Sequence, residues 1–496
     1  MAGGSVDAGS SYSPSTGFVF LFNLIVGAGA LTIPHSFAQV GLLYGTGALC
    51  LLALVSYISA TFVIEAIAGV NALRRLKNES VPMNVKQGSV TVVMTKQAKL
   101  PSDEGAESVP FLIHTEGESD YVSGLHFDVS EKIEFAAIAN ELFTHRGLIA
   151  FYICTIAYLY GDLSIYAVAI PKSLREIICP RPSMNMTVWD CPDVSLTSSQ
   201  LYRVLVAAFG VSLGSFVFGH LHKTTCIQLI TTVMRHVSFA LMIILVIIGI
   251  FRGEGRSVAD VVSHEDLLSL PDFFGVIIYS FMCHHSIPGI IAPISKKRTV
   301  GIILLYAFIT SLLVYVTLSI TATFRFQPTD IQDVYTLNFN NYPIRFFAYF
   351  LSLFPVFTLS TTFPIICITL RENLHTLFKG EPNSPTNDHF FTPTKVYALA
   401  ALLPPLAIAM CTEDVGMLVG ITGAYAGLGI QWVIPSFFVY CLRKRLVVVQ
   451  NQLKLSSLPK NPYASPFGRI GWVYLSFALS AASLIIITYT RLLKHK

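Results

Sequence analysis

Phe22-Asn23-Leu24-Ile25-Val26-Gly27-Ala28-Gly29-Ala30-Leu31-Thr32-Ile33-Pro34 puts two glycines and a proline inside the first apolar segment of the chain. A helix of spanning length is interrupted midway. In hydrocarbon every backbone N–H and C=O needs a partner, so irregular backbone survives there only if it is buried in protein or lines a polar cavity. Half-helix ends at such breaks suit a charged ligand near the membrane midplane. A proline kink that only shapes packing is the plain alternative. A second interruption, Cys283-His284-His285-Ser286-Ile287-Pro288-Gly289, falls in the sixth apolar segment, five spans after the first. Breaks at matching positions of two five-helix halves point to an inverted repeat and a secondary carrier.

With 53% hydrophobic and 12% charged residues among 496, the chain is a polytopic membrane protein. Spans need about 20 apolar residues each. The sequence predicts an all-α protein of about eleven transmembrane helices, near 16–37, 42–70, 147–175, 201–219, 226–251, 271–293, 300–324, 344–370, 393–411, 415–441 and 469–490. Residues 1–15 form a polar N-terminus free of Lys and Arg, without the charged start of a cleavable leader. The transporter domain covers 16–490 and a short tail covers 491–496. Placing the N-terminus in the cytosol puts the clusters Lys296-Lys297-Arg298 and Arg443-Lys444-Arg445 inside, as positively charged loops prefer. The tail residues Arg491, Lys494 and Lys496 then fall outside, against that trend. The host membrane, plasma or endolysosomal, is left open.

The segment 176–200 comes out lumenal and holds the sequon at Asn185 between Cys179 and Cys191, so glycosylation and a disulfide are both expected there. Residues 71–127 mix Ser, Val, Glu and Lys without periodicity and read as a flexible cytosolic loop. An amphipathic helix over 128–146 follows, with Asp128 and Glu131 at capping-box spacing and Phe135, Ile138, Ala139 and Leu142 on one face.

Ionisable groups at membrane depth are costly and therefore candidates for function. Asp162 sits mid-span with Tyr158 and Tyr166 a turn away, a stripe for a proton or a cation, or else a structural hydrogen bond to the tyrosines. Glu65, Arg235 and His236 are read as snorkelling residues, with an Arg235 ion pair to Asp162 or Glu65 as the alternative. On a continuous helix His284 and His285 point about 100° apart, so one faces the cavity. His220, His222 and Cys226 read as interfacial, and no metal site is expected. Thr358, Thr361 and Thr362 share a helix face and could complete a cation site, or bond back to their own helix. Gly210-Val211-Ser212-Leu213-Gly214 lacks the strand-turn-helix context of a nucleophile elbow. Without a phosphate loop or nucleotide fingerprint, an ATP-driven pump and an enzyme are both disfavoured.

Asn23, Gly27, Gly29, Leu31 and Pro34, followed by Ala38 and Gly41, resemble the first-helix pattern of the amino acid/auxin permease family. Phe281-Met282-Cys283-His284 resembles the sixth helix of its sodium-coupled neutral branch, and Thr362-Phe363-Pro364 with Arg371 its eighth. Tyr158-Leu159-Tyr160-Gly161-Asp162-Leu163 and Phe354-Pro355-Val356-Phe357-Thr358 are closest to the transmembrane protein 104 subgroup. The resemblance implies a leucine-transporter-like fold, an inverted repeat of helices 1–5 and 6–10 plus one extra helix, and symport of small amino acids with sodium or protons. It implies substrate contacts at Gly27, Ala28, Gly29, His284, His285 and Ser286, and a cation site from Asn23 with Thr358, Thr361 or Thr362; Asp162, outside the general family pattern, joins the coupling candidates on its own mid-span position. The partners expected are the lipid bilayer and a small amino acid, with no nucleic acid and no cofactor beyond the coupling ion. A transporter-like sensor or scaffold without net flux is the alternative, its hook being the long 71–146 segment.

Overall fold

Helices are the one arrangement in which a lone apolar segment satisfies its own backbone in hydrocarbon. The computed structural model describes residues 11–79, 125–182, 188–192, 194–218, 225–379 and 393–494. These form α1 (Pro14–Ile25), α2 (Gly29–Val40), α3 (Leu42–Glu79), α4 (Phe135–Leu142), α5 (His145–Ile178), α6 (Ser198–Gly214), α7 (Thr225–Gly249), α8 (Val258–Ser263), α9 (Leu270–Ser280) and α10 (Ile287–Ile291). They continue as α11 (Val300–Arg325), α12 (Arg345–Ser360), α13 (Phe363–Lys379), α14 (Pro393–Cys411), α15 (Val415–Thr422), α16 (Ile434–Gln452) and α17 (Ile470–Lys494). Among the described residues there is no ladder of strands, only isolated bridges such as Tyr12 to Ile294.

Nine helical runs in the described residues are long and apolar enough to cross a membrane; α1 and α2, bent by 52°, make one further span. The shorter apolar helix Lys395–Cys411 brings the number to the eleven read from the sequence. The protein is an all-helical polytopic membrane protein. Its tenth span is wound more loosely between α15 and α16, where Gly423–Gly427 and Gly429–Val433 are π-helical.

Two helices, the long α5 and the short α9, organise the bundle. α5 runs through the middle against α6, α12, α13, α14 and α15, while α9 packs against α2, α3 and α15. The crossing of α2 and α9 depends on Gly29, because a Cβ there would lie 2.6 Å from the Ser280 Cα and 2.2 Å from its Oγ. In α6, Gly210 and Gly214 face Leu406 and Leu402 of α14, which gives the glycine pair a packing role.

The helix expected over 128–146 occupies only Phe135–Leu142. Asp128 does not cap it. Its carboxylate instead accepts from the amides of Val129 (2.7 Å) and Ser130 (3.1 Å) and from Arg75, in a turn before the helix. Phe135, Ile138, Ala139 and Leu142 are buried, so α4 lies against α3, α5 and α16. Most of the 71–127 loop, residues 80–124, lies outside the described residues, as do Asn185, His220 and His222. Glu65 does not snorkel: it is 6% exposed and takes a two-pronged pair from Arg443 at 2.8 and 2.9 Å, plus the Ser465 amide at 2.9 Å. A carboxylate this buried needs such partners.

Candidate functional site

At the first break the helical ladder loses its register. The Val26 amide still reaches the Phe22 carbonyl at 2.8 Å, but the Gly27 amide turns to Ile25 at 2.9 Å and leaves the Asn23 carbonyl without its helical donor. Arg235 of α7 donates to that carbonyl. The Asn23 side-chain amide donates to Thr232, one turn from Arg235, at 2.8 Å. The Tyr315 hydroxyl from α11 lies 2.8 Å from the Ile25 carbonyl and 2.9 Å from that of Ser280, the last residues of α1 and α9.

The sixth span breaks after Ser280 and continues through tight turns in which the Ser286 and Ile287 amides reach the Cys283 carbonyl at 3.0 and 3.1 Å. Its two histidines part company. His284 is fully buried against α3, its Nε2 lying 2.8 Å from the Ser59 Oγ and 3.0 Å from the Ser56 carbonyl. Since Ser59 can donate to the same carbonyl, an Nε2–H donor fits this arrangement. His285 turns the other way and lies beside Tyr158, with ring centroids 5.6 Å apart and planes inclined by 55°.

Both breaks border one cavity of about 160 Å³. Asn23, Gly27, Ala28, Gly29, Asp162, His285, Thr361 and Thr362 line it, together with Arg235, Tyr166 and Tyr279. The structure thus gathers eight of the sequence candidates. Three it does not: His284 is spent on α3, Ser286 is buried behind it, and Thr358 bonds its own helix at Phe354, 2.8 Å away. The hydroxyls of Thr361 and Thr362 also turn back, each 3.1 Å from the Thr358 carbonyl. Threonine on a helix readily takes this local bond. Of the three amides expected at the first break, that of Gly27 is occupied by Ile25, leaving those at the start of α2 without helical acceptors.

Asp162 makes no ion pair among the described residues; its carboxylate accepts from the Tyr279 hydroxyl of α9. Arg235 does not snorkel, and pairs with neither Asp162 nor Glu65. Sequence reading missed Tyr279 because it lies on another helix, 117 positions away.

A second cavity adjoins the first and shares Tyr158, Leu159 and His285 with it. Glu134, Arg371, Glu372 and His375 line its far end, at the N-terminal side of the bundle. The opposite side is tied down by charge. Lys172 of α5 grips Asp333 at 2.6 and 2.9 Å and the Glu413 carbonyl at 2.9 Å, and the Val415 amide adds 2.8 Å to Asp333. Beside it Arg175 pairs with Glu413 and Glu176 and lies 5.0 Å from the Trp189 ring, next to the Cys179–Cys191 disulfide. Burial by itself would raise the Asp333 pKa, but the Lys172 charge and hydrogen bond, His35 and the Val415 amide hold it below the ordinary carboxylate value. Its stabilisation is therefore complete at neutral pH and is lost only as pH falls through that depressed value. Lys172, Arg175 and Glu176 stand at one-turn spacing, a signal that places three charges on one helix face without showing their partners.

The family model for transmembrane amino acid transporter proteins matches residues 10–78 and 122–485, passing over most of the long loop. The chain is 39% identical to transmembrane protein 104 of Gallus gallus over 502 residues, covering 98% of each chain. It is 37% identical to the Homo sapiens protein of that name, again over 98% of each, and 34% identical to the Drosophila melanogaster homolog over 97% of each.

Proposed function

The chain belongs to the transmembrane amino acid transporter protein family, and from that premise we propose that it is a secondary active carrier of amino acids or similar small zwitterions, coupled to protons or sodium. The observation that carries this reading is the cavity at the two breaks, where an acid, an arginine and the start of a half-helix meet. The free amides at the start of α2 suit a substrate carboxylate, which the helix dipole also favours. Asp162 suits an ammonium group, and His285 with Tyr158 supplies an adaptable wall. With the N-terminus in the cytosol, the adjoining cavity is the cytosolic approach, and the Lys172–Asp333 cluster closes the other side. Alternating access then consists of releasing that cluster while the approach near Arg371 narrows.

Purified protein in liposomes, offered labelled amino acid mixtures under an imposed proton gradient and then a sodium gradient, tests this. Gradient-driven accumulation is the expected result, and Asp162→Asn should abolish or strongly reduce it. Saturable binding without accumulation would replace the carrier by the sensor or scaffold.

A further inference from the structure

The first break holds a feature that the carrier reading does not use. Where a helix ends inside a membrane protein, its last carbonyls carry the negative end of the helix dipole and suit a cation. At the end of α1 that place is filled from within the chain. The Asn23 carbonyl, released when the Gly27 amide turns to Ile25, accepts from the guanidinium of Arg235. The neighbouring Ile25 carbonyl is held by the Gly27 amide and the Tyr315 hydroxyl. Arg235 makes no ion pair among the described residues, so its charge is answered by this half-helix end and by the cavity it lines.

The Thr358, Thr361 and Thr362 hydroxyls donate to carbonyls of their own helix, and the Asn23 amide nitrogen is committed to Thr232. Asn23 Oδ1 is buried without a hydrogen-bond partner among the described residues, but any cation drawn to it would sit beside a guanidinium on the same residue's carbonyl. Like charges at that separation oppose each other strongly in a site shielded from water.

We propose that the Arg235 guanidinium is a built-in cation at the first break, standing where a coupling sodium would be ligated, so that the carrier cycles without sodium. Arginine suits such a post better than lysine. It stays protonated throughout the physiological range and its planar fork meets carbonyl oxygens at fixed angles. A sodium ion arrives and leaves with each cycle, whereas this charge is permanent. The inference rests on the carrier reading for its cycle, but not for the cation site itself.

Two measurements keep these apart. Thermal melting of the purified full chain, in sodium chloride and in choline chloride at equal ionic strength, should give the same midpoint for the wild type. Arg235→Ala opens the place, and its midpoint should rise with sodium or with dilute guanidinium relative to choline; Arg235→Lys, which keeps a charge there, should stay indifferent. A sodium-specific rise in the wild type or in Arg235→Lys would overturn the proposal. So would a folded Arg235→Ala that ignores both cations. In liposomes, replacing sodium by choline should leave wild-type accumulation of labelled amino acids unchanged. Loss of accumulation on that replacement would overturn the sodium-free cycle and keep the carrier; no accumulation under any gradient would overturn the carrier and leave the melting experiment to decide the cation.

Discussion

At the first break, two carbonyls at the end of α1 are met by side chains from α7 and α11, Arg235 and Tyr315. At the sixth-span break the chain holds itself with local turns around Cys283 and plants His284 into α3. The same interruption, made twice, shares Tyr315 but differs in its second support, an arginine reaching in at the first break and a histidine reaching out at the other. The difference teaches where movement is felt. The first break depends on α7 and α11 keeping their places beside α1, while the second is tied to α3 through His284 and to α11 through Tyr315.

The largest expected effect tests whether Gly29 belongs to the ligand or to the packing. Gly29→Val drives its side chain into the Ser280 backbone, so it should cost about 3 kcal/mol or more and reduce the yield of monodisperse protein. Next comes the anchor. His284→Ala removes a fully buried ring and its hydrogen bonds to Ser59 and the Ser56 carbonyl, and should lower stability by about 1–3 kcal/mol, read as a fall in melting midpoint. His285→Ala, on the cavity side, should leave the midpoint nearly unchanged while weakening amino acid binding; equal losses in the two variants would erase the distinction between anchor and wall. Tyr315→Phe should cost about 1 kcal/mol and speed amide exchange at both breaks together, whereas exchange at one break alone would unlink them. The smallest effect belongs to Gly27→Ala. The nearest atom to its added carbon is the Leu24 carbonyl at 3.8 Å, and its backbone is not left-handed, so stability should stay within about 0.5 kcal/mol while substrate affinity changes.

Much of this comparison was legible in the sequence. Glycine and proline inside apolar runs marked both breaks, and the number of spans followed from hydropathy, because backbone satisfaction in hydrocarbon leaves so few choices. The site was legible only as a set of candidates. A histidine pair does not say which ring faces the cavity; that depended on Ser59, 225 positions from His284. Arg235 and Glu65 both read as charges at span depth, yet one found a carbonyl and the other an arginine, each from a distant helix. The threonine face was readable as a face but not as a direction, since a hydroxyl can turn to its own helix. The capping-box spacing at Asp128 failed for a related reason: the backbone just after it and Arg75 competed successfully for the same carboxylate.

Tyr315 carries one consequence further. Its hydroxyl oxygen lies almost equally close to the terminal carbonyls of α1 and α9, with a single proton to give. Yet one proton can follow only one acceptor if those ends separate. The carbonyl that the hydroxyl keeps would record which helix end moved away from α11.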